Sequence, residues 1–402
     1  MTKIKKISGR EILDSRGAPT LEVVVETENS KGIFGVPAGK SKGEKEAVEL
    51  RDGEKIFGGL GVKKAVSIIQ DLINPELSGF DVEEQDKIDK KLIELDGTEN
   101  KSHLGGNTII GISIAAAKAA AAAQKEPLYL HLKEKFGFKN SLKAPRLFSN
   151  IINGGKHSLS PLAFQEYLII PQSESISEDL LSMKIIFDKA REIIKKEFGD
   201  VSANAGGDEG GFVLNTGDIE KPLEILSDAA KNTGRNIRLS LDAAAGSFYE
   251  NGKYEVEKEK FSPRELLEKY QGLAKKYDIF SIEDPFFENE DLKYFSDLNK
   301  NLIVVGDDLT VTNEKLIKRA ASSIGAVIIK PNQIGTLSET IAAVKTAQKS
   351  GLKVIVSHRS GETNDDFVAD LAAAVNAFGL KAGAPNRGER LAKYNRIWEI
   401  FK

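Results

Sequence analysis

Six short apolar runs between residues 237 and 381 are each followed by one or two polar side chains that could take part in chemistry. In chain order these side chains are Asp242, Glu283, Asp307, Lys330, His358 with Arg359, and Lys381. Brought together, the three acids would form an oxygen cage for a divalent cation, and the bases would form a wall facing it. Strands of many soluble proteins end in polar residues. That alternative explains two or three of these positions but explains less well why acids precede bases.

The spacing of these residues predicts how they are positioned. Counted from 242 to 283, 307, 330, 358 and 381, the intervals are 41, 24, 23, 28 and 23 residues. Such a step fits one short buried strand, one helix and two loops. Repeated steps of this kind indicate the β/α units of a closed parallel barrel. Residues just past the strand C-termini crowd at one mouth of that fold, so we expect one shared site.

The first third of the chain has a different pattern. Residues 3–13, 21–27 and 32–36 predict strands of a meander, and residues 44–51, 61–72, 82–95 and 107–124 predict helices. A chain of 402 residues also exceeds what one compact core usually holds. We therefore predict an α/β protein with a smaller α+β domain over residues 1–138 and a modified β/α barrel domain over residues 139–402.

Composition narrows the classes of function and partner. The 57 basic and 60 acidic residues nearly cancel to −3, so no overall field favours nucleic acid or membranes. Cysteine is absent, which excludes disulfides, zinc–thiolate sites and a cysteine nucleophile. The N-terminal residues lack the apolar core of a secretory signal, and the alanine-rich residues 109–123 are too short to span a bilayer. We expect a cytoplasmic protein without nucleic-acid or membrane partners.

Two glycine-containing loops could contact a ligand. Residues 38–41 (AGKS) resemble the end of a phosphate-binding P-loop, but that motif requires glycine where Phe34 stands. A P-loop nucleotidase is therefore disfavoured. In residues 205–211, Asp208 and Glu209 lie between two glycine pairs that allow a close backbone approach. The alternative for this loop is a surface turn, although loops often carry function.

Several longer motifs occur in one order along nearly the whole chain. They are REILDSRG at 10–17, ELRDGEK at 49–55, LDGTENKS at 95–102, INGGKH at 152–157, QE at 165–166, GDEGGF at 207–212, SIEDPF at 281–286, GDDLTVTN at 306–313, IKPNQIGTLSET at 329–340, SHRSGET at 357–363 and ERLAKYN at 389–395. Together they resemble the enolase family. The resemblance implies a modified barrel with one antiparallel strand and a homodimer or homo-octamer. It also implies reversible, Mg²⁺-dependent dehydration of 2-phosphoglycerate to phosphoenolpyruvate.

The resemblance further implies a role for each site residue. Magnesium is expected on Asp242, Glu283 and Asp307, with Ser41 on a second, substrate-dependent ion. Lys330 matches the general base, and Glu209, assisted by Glu166, matches the acid that protonates the leaving hydroxide. The residues expected to contact the substrate are His157, Glu166, His358, Arg359, Ser360 and Lys381. Among these, Arg359 and Ser360 match the residues that bind the substrate phosphate, and Lys381 matches the residue that neutralises the substrate carboxylate.

Two of these roles, those of Lys330 and Glu209, each require a shifted pKa. A lysine with a reference pKa of ~10.4 must lose ~3.4 units, about 4.6 kcal/mol, to act as a base near pH 7. A doubly charged ion ~5 Å away at an effective dielectric of ~20 contributes about 6.6 kcal/mol in that direction. For Glu209 to donate a proton its pKa must be raised, and a second carboxylate nearby is one way to do this.

The chain departs from the family pattern at the loop around Ser41. Lys40 and Lys42 replace small neutral residues, and Ala18 stands where the family usually has Asn. If the lysines point inward, they weaken or partly replace the second magnesium; we expect them instead to form a solvated loop face. Two other hypotheses stay open here: an enolase-superfamily enzyme acting on a different carboxylate, and a non-catalytic relative kept for binding.

Overall fold

The computed structural model describes residues 2–40, 43, 45–53 and 55–402. Its N-terminal part contains an antiparallel sheet in the order β1-β2-β3, which confirms the predicted meander. The strands are β1 (Lys6–Leu13), β2 (Pro19–Glu26) and β3 (Lys31–Gly35). The helices of this part are α1 (Lys63–Ile68), α2 (Asn74–Leu77), α3 (Gln85–Asp96), α4 (Gly106–Gln124) and α5 (Leu128–Lys135). A π-helical segment, Ile69–Ile73, joins α1 to α2.

Helix α4 packs directly on the N-terminal sheet. A Cβ atom added at Gly32 of β3 would lie 1.9 Å from the carbonyl oxygen of Ala115, so glycine permits this close approach. Helix α4 is the one described helix that is long and apolar enough to cross a membrane, and 83% of that stretch is buried inside the protein. The helix predicted over residues 107–124 is therefore confirmed. The expectation that the alanine-rich stretch is too short to span a bilayer is wrong, because the helix extends beyond residues 109–123 at both ends.

The predicted helix over residues 44–51 is wrong for the part of it that the structure describes. The backbone N–H of Ala47 donates to the carbonyl of Gln333 (2.8 Å), and that of Val48 donates to Asn100 (2.8 Å). The N–H of Leu50 donates to the side chain of Asn107 (2.9 Å). These distant acceptors replace the i−4 carbonyls of a helix, and none of them is visible in the local sequence.

The remainder of the chain forms the barrel and its covering helices. The strands are β4 (Arg146–Asn153), β5 (Glu166–Pro171), β6 (Phe212–Val213), β7 (Ile237–Asp242), β8 (Tyr249–Glu250), β9 (Lys253–Val256), β10 (Glu259–Phe261), β11 (Ile279–Glu283), β12 (Ile303–Gly306), β13 (Ala326–Ile329), β14 (Lys353–Ser357) and β15 (Gly379–Lys381). The helices are α6 (Ile176–Asn204), α7 (Lys221–Thr233), α8 (Pro263–Tyr277), α9 (Leu292–Asn299), α10 (Glu314–Ala320), α11 (Leu337–Lys349), α12 (Phe367–Ala374) and α13 (Gly388–Phe401).

Eight of these strands close a barrel. Their order is β15-β14-β13-β12-β11-β7-β5-β4, and β15 pairs with β4 to complete the ring. Strand β5 runs antiparallel to both of its neighbours, whereas the other pairs in the ring are parallel. The modified barrel is thus confirmed, including the antiparallel strand, which the spacing alone did not predict. Strands β8, β9 and β10 form a separate small sheet.

Alternation along each strand separates two apolar layers. The barrel-floor cluster is the set of buried interior side chains Phe148, Leu168, Ile170, Val305, Ala326, Ile328 and Ile355. On β13, Ala326 and Ile328 belong to this cluster, whereas Val327 and Ile329 pack in the larger core that includes the helices. Lys330 continues the interior side of β13 toward the other end of the barrel, because successive side chains alternate between faces.

The strand ends lie where the sequence predicted them. Strands β7, β11 and β15 end at Asp242, Glu283 and Lys381. Asp307, Lys330 and His358 directly follow β12, β13 and β14. Asp242 is the register partner of Glu166 on one side and of Glu283 on the other. One mouth of the barrel therefore gathers the acids and bases named above.

Candidate active site at the barrel mouth

A cavity of about 20 Å³ lies among the side chains at this mouth. Its lining residues are His157, Gln165, Glu166, Glu209, Asp242, Lys330, Ser357, His358, Arg359, Ser360 and Lys381. All the predicted catalytic and substrate-contacting residues are among them. Glu283 and Asp307 join the same site through contacts with the two lysines. Ser41, the predicted ligand of a second magnesium, lies outside the described residues.

The two lysines neutralise the predicted metal ligands. The Nζ atom of Lys381 lies 3.0 Å from Oδ2 of Asp242, 2.8 Å from Oε2 of Glu283 and 3.1 Å from Oε2 of Glu166. Lys330 forms a close ion pair with Asp307. Every one of these side chains is nearly or fully buried, so the charges interact without much screening by water.

The donor set fits a divalent cation. Oε1 of Glu283 is buried and has no hydrogen-bond partner among the residues that the structure describes. Burial, together with the charge of Asp242, raises the pKa of Glu283 well above its ordinary value. Gln333 donates to Oδ1 of Asp307 (2.9 Å), and Gln165 donates to Oδ2 of Asp242 (3.3 Å). These hydrogen bonds orient both predicted ligands. This surplus of buried carboxylate oxygen suits a hard divalent cation.

Asp284 follows Glu283 at the end of β11 and positions the end of β12, a role that the sequence did not indicate. Its carboxylate accepts the backbone N–H groups of Asp307 (2.9 Å) and Asp308 (2.7 Å). Oxygen atoms of these three acids lie within 4.8 Å of one another. Burial and the charge of Asp308 raise the pKa of Asp284 well above its ordinary value. The SIEDPF motif contains Asp284, but its local pattern does not distinguish it from the neighbouring Glu283.

The predicted acid pair lies beside Asp242, because Glu166 is the register partner of Asp242 and Lys381 contacts both carboxylates. Ligand atoms of His157, Glu166 and Glu209 all lie within 4.8 Å of one another. Burial and the charge of Glu209 raise the pKa of Glu166 well above its ordinary value. Burial also acts to raise the pKa of Glu209, but its electrostatic interactions with His358 and His157 outweigh burial and lower that pKa well below its ordinary value. In this structure the raised pKa therefore belongs to Glu166, whereas the sequence argument required it at Glu209.

The tautomer of His358 follows from its partners. Burial lowers the pKa of His358 to about 4, so the ring is neutral near pH 7. Its Nδ1 atom lies 2.6 Å from Nη1 of Arg390, which can only donate, so Nδ1 accepts and the proton resides on Nε2. Nε2 lies 3.3 Å from Oε1 of Glu209. The pKa of His157 is likewise lowered by burial.

Arg390 is a second residue that sequence reasoning missed. It is fully buried, and it donates to the backbone carbonyls of Arg359 (2.7 Å), Ser360 (2.6 Å) and Asp208 (3.1 Å). One side chain of α13 thus fixes two active-site loops, the one with Arg359 and Ser360 and the one with Asp208. Only the ERLAKYN motif indicated it, because a residue on the last helix has no strand-end signal.

The pKa of Lys330 is raised in this structure. Burial acts to lower it, but the charge of Asp307 acts in the opposite direction and prevails with help from Glu283. A base that operates near neutral pH needs the opposite shift. The direction required by the sequence argument is therefore not present while Lys330 is the counter-ion of Asp307.

Lys40 and Glu46 contact the two residues that are predicted to bind the substrate phosphate, Ser360 and Arg359. The backbone N–H of Lys40 donates to Oγ of Ser360 (2.9 Å), and Arg359 forms an ion pair with Glu46 (2.9 Å). The Lys40 ammonium lies 2.8 Å from Oδ2 of Asp208, and its side chain is 43% exposed. Lys40 is thus exposed, as expected, and it also pairs with Asp208 at the rim of the site. Lys42 lies outside the described residues.

Comparisons with known proteins agree with this geometry. A family model described as the C-terminal TIM barrel domain of enolase matches residues 141–402, and one described as the enolase N-terminal domain matches residues 4–132. The chain belongs to the enolase family. It is 43% identical to the enolase of Methanopyrus kandleri over 100% of this chain and 96% of that protein. The enolases of Methanocaldococcus jannaschii and Thermococcus gammatolerans are 45% and 46% identical over 99% of this chain, covering 95% and 94% of those proteins.

Family membership establishes the class of reaction. The chain is a hydro-lyase of the phosphopyruvate hydratase class, and its reaction is the glycolytic dehydration of 2-phosphoglycerate to phosphoenolpyruvate. The family also implies a divalent metal. Among the described residues, two groups have ligand atoms close enough together to hold one, Asp284 with Asp307 and Asp308, and His157 with Glu166 and Glu209. Of the predicted ligands, Asp307 belongs to the first group, whereas Asp242 and Glu283 belong to neither.

Proposed function

We propose that this chain catalyses the reversible dehydration with Mg²⁺ as its divalent ion, Lys330 as base and Glu209, with Glu166, as acid. The observation that carries this proposal is the arrangement of one barrel mouth. There Lys330 pairs with Asp307, and Lys381 contacts Asp242, Glu283 and Glu166, which lies next to Glu209. Asp242, Glu283 and Asp307 would hold the ion. A bound divalent cation would supply positive charge next to the substrate carboxylate, where negative charge develops.

Lys330 is suited to remove the proton from the carbon beside the carboxylate. Its ammonium is now the counter-ion of Asp307, which raises its pKa. When the carboxylate of Asp307 is engaged elsewhere, the burial of Lys330 is left to lower that pKa. The ion pair thus holds the amine in its protonated form until the site is assembled. Lys381, held by three carboxylates, offers a fixed positive charge to the substrate carboxylate.

Glu209 and Glu166 are suited to handle the leaving hydroxide together. Because their carboxyls interact closely, they titrate as a pair, and one proton can be held between them. Asn150 donates to Oε2 of Glu209 (2.9 Å), which fixes the carboxyl in place. Because the pKa of Glu166 is raised, a proton on its carboxyl would be available to the leaving hydroxide. His157 lies 3.5 Å from Glu166 and 3.4 Å from Glu209 and would shield the pair from water.

Arg359 and Ser360 are suited to bind the substrate phosphate. A planar guanidinium recognises a phosphate with two parallel hydrogen bonds. The side chain of Arg359 is only 4% exposed, so an anion bound there is shielded from solvent. The same position would discriminate against acids of similar size that lack a phosphate. We also propose a cytoplasmic location and a homodimer or homo-octamer.

The direct test is an absorbance assay of purified protein with 2-phosphoglycerate. Formation of the conjugated product raises ultraviolet absorbance when Mg²⁺ is present, and a chelator should abolish the rise. An enzyme acting on a different carboxylate would instead turn over unphosphorylated acids in a parallel screen. A non-catalytic relative would bind Mg²⁺ in calorimetry without any turnover. Absence of product from 2-phosphoglycerate at saturating Mg²⁺ would refute the proposal.

A further inference from the structure

The fork of Arg359 is already filled by a carboxylate of this chain. Nη1 of Arg359 lies 2.9 Å from Oε2 of Glu46, and Nη2 lies 3.4 Å from Oε1, so one carboxylate spans both terminal nitrogens. The two side chains are 4% and 6% exposed. A phosphate that bound to the same two nitrogens would need the position that Glu46 occupies. Asn332 contacts Nη1 as well, at 3.3 Å.

Glu46 also connects this fork to the loop over the site. Its Oε1 atom accepts the backbone N–H of Gly43 (3.0 Å) and a side-chain N–H of Gln333 (3.4 Å). Gln333 in turn donates to Asp307. The backbone of Gly39 lies against the guanidinium, where an added Cβ would be 1.8 Å from Nη2 of Arg359. The carboxylate of Glu46 is therefore held by the loop as well as by the arginine.

We propose that Glu46 is an internal competitor that a phosphate group must displace from Arg359, and that it thereby determines which anions the site accepts. This inference rests on the proposed function, in which Arg359 is the phosphate-binding residue. A tethered carboxylate competes at a high effective concentration without losing overall rotation and translation. A free monoanion brings the same charge as Glu46 and has no such advantage. A phosphate dianion brings twice the charge and additional oxygen acceptors, so it can displace Glu46 from the two terminal nitrogens of Arg359.

Competition by Glu46 predicts an effect that a simple supporting role does not. If Glu46 only oriented Arg359, any change to it would weaken phosphate binding. If it competes, neutralising it must strengthen phosphate binding. Glu46→Gln keeps the size of the side chain and the oxygen that accepts from Gly43 and Gln333. Because charge-assisted hydrogen bonds are roughly twice as strong as neutral ones, we expect a roughly ten-fold lower Kd for inorganic phosphate.

The experiment is a calorimetric titration of the full-length protein with inorganic phosphate and, separately, with acetate. Glu46→Gln should bind phosphate more tightly than wild type, and its preference for phosphate over acetate should fall. Glu46→Asp retains the charge and should stay close to wild type. Glu49→Gln is the matched control: it removes a charge from the same segment, where Glu49 contacts Gly39 and Arg51. Thermal unfolding checks that each variant is folded.

Three results would overturn the inference. They are unchanged or weaker phosphate binding by Glu46→Gln, an equal gain in Glu49→Gln, and a gain that persists when Arg359→Lys is added to Glu46→Gln. The absorbance assay stays separate from this titration. A wild-type protein without hydratase activity would refute the proposed function, whereas the phosphate titration alone decides the role of Glu46.

Discussion

The two ends of the barrel are built from the same strands but have opposite chemistry. At one end the barrel-floor cluster buries only apolar side chains. At the other end lies Lys330, two residues beyond Ile328 and directly after β13, in a group of buried acids and bases. Residues of the floor lose no hydrogen bonds on burial, whereas each charge at the mouth must be paired or lose solvation energy. The floor therefore stabilises the barrel, and the mouth retains costly charges that only a function explains.

The largest expected difference between the two ends is in the rate. Glu209→Gln keeps the shape of the side chain but removes its acid–base capacity, so we expect turnover to fall by about 10²–10⁴-fold. The free energy of unfolding should change by much less than the free energy of activation. The variant loses contacts of the Glu209 carboxylate, but it also relieves the repulsion between Glu209 and Glu166. Initial rates in the absorbance assay and urea unfolding measure the two quantities. Near-normal turnover would exclude Glu209 from the chemistry.

The floor should respond in the reverse manner. Ile328→Ala leaves a cavity among buried neighbours and should lower the free energy of unfolding by about 2–5 kcal/mol. The folded protein should retain its turnover, because Ile328 belongs to the barrel-floor cluster and not to the group of ionisable residues. Ile328→Val, a smaller deletion at the same site, should cost about 0.5–1.5 kcal/mol. A loss of turnover without a loss of stability would contradict the division between the two ends.

Acid should destabilise the mouth in a way that depends on His358. The folded-state pKa of His358 is lowered from 6.5 to about 4, so the unfolded chain takes up a proton first as the pH falls. Its contribution to stability is complete above the unfolded pKa and is lost progressively from there down to the folded pKa. The loss is at most about 3 kcal/mol. Urea unfolding between about pH 7 and about pH 4.5 should show a shallower pH dependence in His358→Gln than in wild type.

The smallest effect is expected at the rim of the mouth. The ion pair of Lys40 and Asp208 is 43% and 23% exposed, so solvent screens it. Lys40→Ser should change the free energy of unfolding by less than about 1 kcal/mol. Because the pair joins the loop of residues 38–40 to the loop of Asp208, KM for 2-phosphoglycerate should change more than kcat. High salt should reduce that difference, and a salt-independent effect would argue against a role for the ion pair.

The sequence predicted the mouth better than it predicted the connections behind it. Strand ends such as Asp242 and Lys330 were found because an apolar run followed by a polar residue is a local pattern. The antiparallel direction of β5 entered only through the family resemblance, since strand pairing is not a local property. The same limit applies to the partners: the ion pair of Arg359 with Glu46 joins residues 313 positions apart. Nor could the lowered pKa of Glu209 be predicted, because it arises from its contacts with His358 and His157.

The most direct test of the central claim, that Lys330 removes the proton and Glu209 acts later, is isotope exchange at the carbon beside the carboxylate of 2-phosphoglycerate. Each variant is incubated with substrate and Mg²⁺ in D₂O, and the recovered substrate is analysed by NMR, with circular dichroism to confirm folding. Glu209→Gln should still incorporate deuterium although it forms little product, because its base is intact. Lys330→Ala should incorporate none. Deuterium uptake by folded Lys330→Ala at the wild-type rate would contradict the assignment of Lys330 as the base.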